Sequence, residues 1–239
     1  MGMPISVLAR GPAAQSPAAD AAVRAVHAEL TGVDVTFSTY RPDSEVSRLG
    51  RGELTLADCS AELREVADRC ATAATLTGGL FQAVRPDGRW DPSGLVKGWA
   101  AERALRLLTG LEGVDWCLNA GGDVAVWCPS GKPFTVGIQD PRDAGRIAAA
   151  VRCRAGGLAT SGRAARGEHL YDPRSGQPAV GSASVTVVGP SLEQADVLAT
   201  AAFVAGDGAF ALLAGFDGYE ALRITADGAI TTTSGWPTD

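Results

Sequence analysis

The chain has 239 residues, 46% hydrophobic and 20% charged, ample for a buried core and suited to one large domain or two small ones. Lys and Arg number 21 against 27 Asp and Glu, a net charge of −6. With no RNP, zinc-finger or basic-helix pattern, that balance argues against a nucleic-acid binder, whose phosphate contacts need clustered cations.

The N-terminal MGMPISVLARGPAAQ lacks a basic start followed by an apolar run, and it has no lipobox cysteine. No segment approaches ~18 uninterrupted apolar residues, so no transmembrane segment is expected. The expected location is cytoplasmic, or exported if a native N-terminus lies upstream. The cysteines, Cys59, Cys70, Cys117, Cys128 and Cys153, form no CxxC pair. With only two histidines in the chain they read as small buried hydrophobes rather than a zinc site.

In chain order, Met3–Arg10 alternates weakly and reads as a strand. Pro17–Thr31 carries Ala22, Val23, Val26 and Leu30 at helical spacing, and His27 falls within it as a surface or packing residue. Val33–Phe37 is β-branched and reads as a short strand or a turn entry. Thr39–Gly52 is polar and full of turn formers. Ser60–Thr77 is a second helix with Leu63, Val66, Cys70 and Ala74 on one face, and Leu95–Leu108 a third. Asp115–Cys128 is an apolar run broken at Gly121–Gly122. Phe134–Ile138 and Ile147–Cys153 read as strands, and Leu158–Gly162 as a strand end leading to a turn. Ser184–Val188 is the clearest strand of all. Ser191–Ala205 is a helix whose Ser191-x-x-Gln194 resembles a capping box. Ala221–Thr233 reads as a hairpin around Asp227–Gly228. Strands and helices without regular βαβ alternation indicate α+β.

Four stretches could carry chemistry. In QADVLAT, Asp196 and Thr200 are i and i+4 on one helix face. A carboxylate beside a hydroxyl suits a hard cation such as Mg²⁺ or Ca²⁺. Alternatively, Asp196 answers the helix dipole and Thr200 bonds back to a carbonyl. In DPSGLVKG, Asp91 or Ser93 can cap a helix whose first turn suits Pro92. Gly94, Gly98 and Lys97 there suggest an anion site at a helix N-terminus. Glycine kept for helix packing and a lysine reaching solvent explain the same letters. In NAGGDVAV, Gly121 and Gly122 before Asp123 let a ligand lie against the main chain, or form a β-bulge. The stretch 159–178 gathers Thr160, Ser161, Gly162, His169, Asp172 and Arg174. Ser161 and His169 do not make a serine hydrolase, because the G-x-S-x-G elbow is absent.

Taken in order, eight blocks resemble the ApbE family of FAD:protein FMN transferases: MGMPISV, FSTYRPDSEVSRL, WDPSGLVKGWAAERA, LNAGGDVAV, VGIQDP, LATSG, HLYDPRSGQP and SVTVVGPSLEQADVLATAAFVAG. They run from Met1 to Gly206. The resemblance implies a single ApbE-like, T-fold-related domain of mixed, mostly antiparallel sheets with flanking helices. It implies Mg²⁺-dependent transfer of FMN from FAD to a Ser or Thr hydroxyl of a target protein, with release of AMP. Alternatives are an FAD pyrophosphatase giving FMN and AMP, and a non-catalytic FAD carrier.

The same resemblance implies roles for single residues. Gly94 (through its carbonyl), Asp196 and Thr200 would hold the metal, with Ala199 in the same turn. Lys97 would hold FAD phosphate, and Asp91 would contact FAD. Met1, Phe37, Ser38, Tyr40, Gly121, Gly122 and Asp123 fall in flavin-contacting blocks, and Thr160, Ser161 and Gly162 would line the pocket. His169 would act as general base toward the acceptor or position the phosphate, making it catalytic together with Lys97 and Asp196. The partner implied is an acceptor protein carrying a Ser/Thr flavinylation motif. ATSGR at 159–163 is not such a motif, so self-modification is not suggested. Many members have an acid where this chain has Gln82.

Overall fold

Residues 3–162 and 170–237 are described by a computed structural model of the chain. Strand β1 is Ile5–Arg10. Helix α1 follows as Pro17–Phe37, with Ser16 accepting from the amide of Ala19 and Pro17 in the first turn. Val33–Phe37, expected as a strand or turn, is the end of this helix. Val26, Leu30, Val33 and Phe37 are all buried on one face, so a sustained helical period overrides the local β preference. His27 is exposed on α1.

The turn-rich stretch after it contains a short helix, α2 (Glu45–Gly50), capped by Ser44. Helix α3 is Ala61–Leu76, capped by Ser60. It buries Leu63, Val66, Cys70 and Ala73, so the face turns through Ala73 rather than Ala74. Helix α4, Ser93–Arg106, starts two residues before its predicted beginning.

Strands β2 (Asp115–Ala120) and β3 (Asp123–Trp127) are joined by Gly121 and Gly122, whose φ values are 63° and 102°. Positive φ at both positions makes the pair a tight hairpin turn, not a bulge. Strands β4 (Phe134–Asp140) and β5 (Asp143–Cys153) form a separate hairpin, longer than the sequence suggested. Strand β6 is Ala155–Gly162, and β7 (Tyr171–Asp172) pairs with β8 (Gln177–Pro178). Strand β9 (Ser184–Gly189) leads to helix α5 (Leu192–Ala205) and short helix α6 (Ala209–Leu213). The predicted terminal hairpin is β10 (Glu220–Ile224) and β11 (Ile230–Thr232).

The main sheet runs β1-β2-β3-β6-β9-β10-β11, and every neighbouring pair in it is antiparallel. Alternation along its strands builds two cores. Ala125, Ala159, Val185, Val187 and Ala221 face the helices, where they meet α1, α4 and α5. Val124, Val126, Leu158, Leu222 and Ile224 face the other way and are covered by Phe134, Ile138, Val151 and Cys153 of the β4–β5 hairpin. The expected α+β class is what forms. Cys59, Cys70, Cys128 and Cys153 are buried free thiols, and Cys117 is half-buried.

The stretch Leu192–Leu213 is long and apolar enough to cross a membrane, judged by length and composition. Here it is core: Leu192, Leu198, Ala201 and Phe203 are all 1% exposed or less, inside the helix-side cluster. Ser191 caps α5 by accepting from the amide of Gln194, and a side chain of another helix adds to this cap. Glu102 of α4 accepts from the Ser191 hydroxyl (2.6 Å) and from the amide of Glu193 (3.1 Å). Helices α4 and α5 are thereby tied together at the start of α5.

Candidate active site

The two helices cross closely at Gly98. A Cβ there would sit 2.7 Å from the Leu192 carbonyl oxygen and 2.9 Å from Asp196 Cβ. Only glycine lets the helices come this near. The approach brings Asp196 against the first turns of α4, where its Oδ2 accepts from the Gly98 amide at 3.0 Å. In a regular helix that amide serves the carbonyl of Gly94 alone. Here Asp196 shares it. Neither the dipole of its own helix nor solvent accounts for Asp196, which is 2% exposed. Thr200, one turn on, lies with its Oγ1 3.1 Å from Ser161 Oγ at the end of β6. A Cβ on Gly94 would lie 3.9 Å from the same Thr200 oxygen.

Lys97 reaches into this junction. Its Nζ is 2.8 Å from Asp123 Oδ2 and 3.6 Å from Asp196 Oδ1. Asp123 is 1% exposed, and its Oδ1 accepts from the Thr160 amide at 3.3 Å, just past the last β3–β6 pair. Among the described residues, two buried carboxylates thus face one ammonium. Burial pushes the Asp196 carboxyl up, to about 8, with the negative charge of Asp123 adding to the rise and Lys97 opposing it. Burial raises Asp123 as well, against the pull of Lys97. Two buried carboxyls sharing one ammonium beside the Thr200 hydroxyl offer a set of hard oxygens. It fits a small divalent cation better than it fits the protein alone. Among the described residues no cluster of three or more His, Cys, Asp or Glu occurs, so any such ion here must take part of its shell from neutral oxygens.

These groups form the floor of a cavity of about 950 Å³. That volume is at the upper end of what single ligands occupy. Ser93, Gly94, Lys97, Asp196 and Thr200 line it from the helices, and Thr160, Ser161 and Gly162 from β6. Ser38, Tyr40, Asp91, Gly121 and Gly122 line it as well. Asp123 stands behind the wall rather than on it. Tyr40 is 77% exposed, whereas Phe37 is 4% exposed and packs edge-on against Trp99. Phe37 is therefore anchored mainly in the core.

The entrance of α4 differs from the two caps proposed for it. Pro92 is the capping residue and makes no side-chain bond. Asp91 Oδ1 instead accepts from the Ser93 amide at 3.1 Å, and its Oδ2 is 3.3 Å from Arg85 Nη1. The positive end of the α4 dipole opens onto the cavity beside Lys97.

Several wall residues were not singled out from the sequence, although Tyr171, Asn119 and residues 136–141 fall within the family-like blocks. Arg85 pairs with Asp91 across a loop. Tyr171 donates from its hydroxyl to the Val84 carbonyl at 2.7 Å and thereby fixes that loop. The β4–β5 hairpin supplies Thr135 to Arg142 as the opposite wall. At its tip Arg142 grips Asp140 at 2.9 Å and holds that carboxyl down, to about 2. Asn119 accepts from the Gly122 amide at 2.9 Å and so fixes the glycine turn. The turn-forming habit of Asn next to Gly-Gly was the available clue. Met1 and His169 lie outside the described residues.

Comparison with known proteins follows the same lines. The family model described as "ApbE family" matches residues 1–86 and 82–223. A protein named FAD:protein FMN transferase from Rhodobacter capsulatus is 36% identical over 173 residues, covering 68% of this chain and 33% of that protein. One of the same name from Treponema pallidum is 32% identical over 166 residues, covering 61% of this chain and 46% of that one. The chain thus spans a third to a half of the curated relatives it matches. Among solved structures, the ApbE protein of Thermotoga maritima superimposes with a TM-score of 0.83 at 21% identity, over 98% of this chain and 94% of that one. This last likeness concerns the fold.

Proposed function

The chain belongs to the ApbE family, and from that premise we propose that it transfers FMN from FAD to a Ser or Thr hydroxyl of a target protein, releasing AMP. The name FAD:protein FMN transferase, carried by its relatives, supports the reaction. The observation that carries the reading is the floor of the cavity. It joins a buried, under-compensated carboxylate, a hydroxyl, a helix N-terminus and a lysine at one end of a space of about 950 Å³.

In this reading Asp196 and Thr200, with the carbonyl of Gly94, hold Mg²⁺, and Ala199 shapes the turn between the two side chains. The ion supplies charge neutralisation for the pyrophosphate oxygens. Lys97 and the start of α4 bind the phosphates and stabilise the charge that develops as the P–O bond to AMP breaks. Asp91, steadied by Arg85, contacts FAD. Ser38, Tyr40, Gly121 and Gly122 bound the flavin, with Met1 assigned to the same segment. Thr160, Ser161 and Gly162 close the wall beside the reacting phosphate. Asp123 acts on the ligand through Lys97. His169 takes the proton of the acceptor hydroxyl or orients the phosphate.

The test is mass spectrometry of the protein with FAD, Mg²⁺ and a target bearing a Ser/Thr flavinylation motif, with and without chelator. The expected result is a gain of one FMN on the target and release of AMP, both lost with chelator and in Asp196→Ala. FMN and AMP released with the target unmodified would point to the pyrophosphatase. FAD left intact throughout would reject both enzyme readings.

A further inference from the structure

Asp123 has the least exposed carboxylate at the site, and it does not line the cavity. Its oxygens meet Lys97 Nζ at 2.8 Å and the Thr160 amide at 3.3 Å, and its carboxyl also faces that of Asp196. Lys97 has a second carboxylate within reach, Asp196 at 3.6 Å. The ammonium therefore stands between two counter-ions and is held nearer the one behind the wall. We propose that Asp123 is a positioning residue for cation binding: it draws the Lys97 ammonium off Asp196 and leaves that carboxylate open to a divalent ion. This rests on the reading of Asp196 and Thr200 as metal ligands.

The physical argument is a competition. An ammonium and a metal ion both seek Asp196, and both cannot be in close contact with it. The Lys97 side chain is 17% exposed, so it cannot give up a counter-ion to water without a penalty. If the charge at position 123 is removed, the nearest compensation among the described residues is Asp196, less than a bond length beyond contact. Lys97 then closes on it and occupies the cation's place. Asp123→Asn is suited to the test, because its amide oxygen can still accept from Thr160 and keep the end of β6 in register.

Binding of Mn²⁺ alone to the flavin-free chain, followed by the electron paramagnetic resonance of free Mn²⁺, reads the effect without turnover. Mn²⁺ suits the same oxygen ligands as Mg²⁺. Asp123→Asn should weaken binding by about 10–100-fold, the range seen when a residue that orients metal ligands is lost. In a Lys97→Met background the same substitution should change binding by less than about 3-fold, because the competitor is gone. Equal losses in both backgrounds would overturn the inference and make Asp123 act through its own charge. Wild-type affinity in Asp123→Asn would overturn it while leaving Asp196 as a ligand. Binding that is absent, or unchanged in Asp196→Ala, would remove the metal reading itself and this inference with it. Should Asp123→Asn not fold, Lys97→Met alone decides: it must bind Mn²⁺ more tightly than wild type, and unchanged or weaker binding overturns the competition.

Discussion

Gly98→Ala separates the packing role of α4 from its chemistry. The added Cβ meets the Leu192 carbonyl at 2.7 Å, Asp196 Cβ at 2.9 Å and Glu193 Cα at 3.1 Å. Two of these belong to backbone and cannot swing aside. Raising 2.7 Å to an ordinary 3.4 Å contact parts α4 from α5 by about 0.7 Å. Overpacking of this kind destabilises by about 1–3 kcal/mol. Alanine in a helix interior returns about 1 kcal/mol relative to glycine. The net is a loss of about 0–2 kcal/mol, and at roughly 2–4 °C per kcal/mol for a chain of this length the melting temperature falls by no more than about 8 °C. Turnover should suffer more. The same displacement stretches the 3.0 Å bond from Gly98 to Asp196, and misplacement on the scale of 1 Å can cost about 100-fold in rate. The assays are thermal melting and AMP release from FAD. A variant that melts at or above wild type with turnover within about twofold would refute the close crossing as the reason for glycine.

Two other outcomes follow from the charges and the wall. In chelator, Asp196→Asn should melt above wild type, with the gap widening as pH rises from 5 to 8. The folded carboxyl titrates near 8, well above its ordinary value of 3.8. The proton it holds in the folded state therefore favours folding at low pH, and that contribution is lost as pH climbs toward 8. Parallel melting curves across that range would contradict the assignment. Tyr171→Phe removes the 2.7 Å bond to the Val84 carbonyl. It should raise KM for FAD by about 2–10-fold, as for loss of about 0.5–1.5 kcal/mol, with kcat little changed. A fall in kcat at constant KM would place Tyr171 in the chemistry instead.

The sequence revealed the site wherever its residues are close along the chain. Asp196 and Thr200 are visible as one helix face because four residues make one turn. Gly94, Lys97 and Gly98 are visible as an unusual helix start. The reason for Gly98 is not visible, since it depends on Leu192 and Asp196 nearly a hundred residues away. Lys97 and Asp123 meet only because α4 packs on the end of β3, and no local pattern reports that. Residues 33–37 misled for the opposite reason: their β-branched letters look like a strand, and only the continuing 3.6-residue period from Val26 keeps them helical. The β4–β5 wall was legible as two strands but not as a wall, because its placement depends on the small second core beneath it.

That second core has an evolutionary consequence. The charged machinery sits on α4, α5 and the ends of β3 and β6, within the helix-side packing. The facing wall is a hairpin seated on its own hydrophobic cluster. Substitutions at Thr135 or Ala144 can reshape the room for a ligand without moving Lys97 or Asp196. Changes at Gly98 disturb the floor of the cavity without touching the opposite wall. Selection can therefore adjust the room for a ligand and the charged floor along nearly independent axes, and variation on the hairpin should fall at positions such as Thr135 and Ala144 rather than in the family-like VGIQDP run between them.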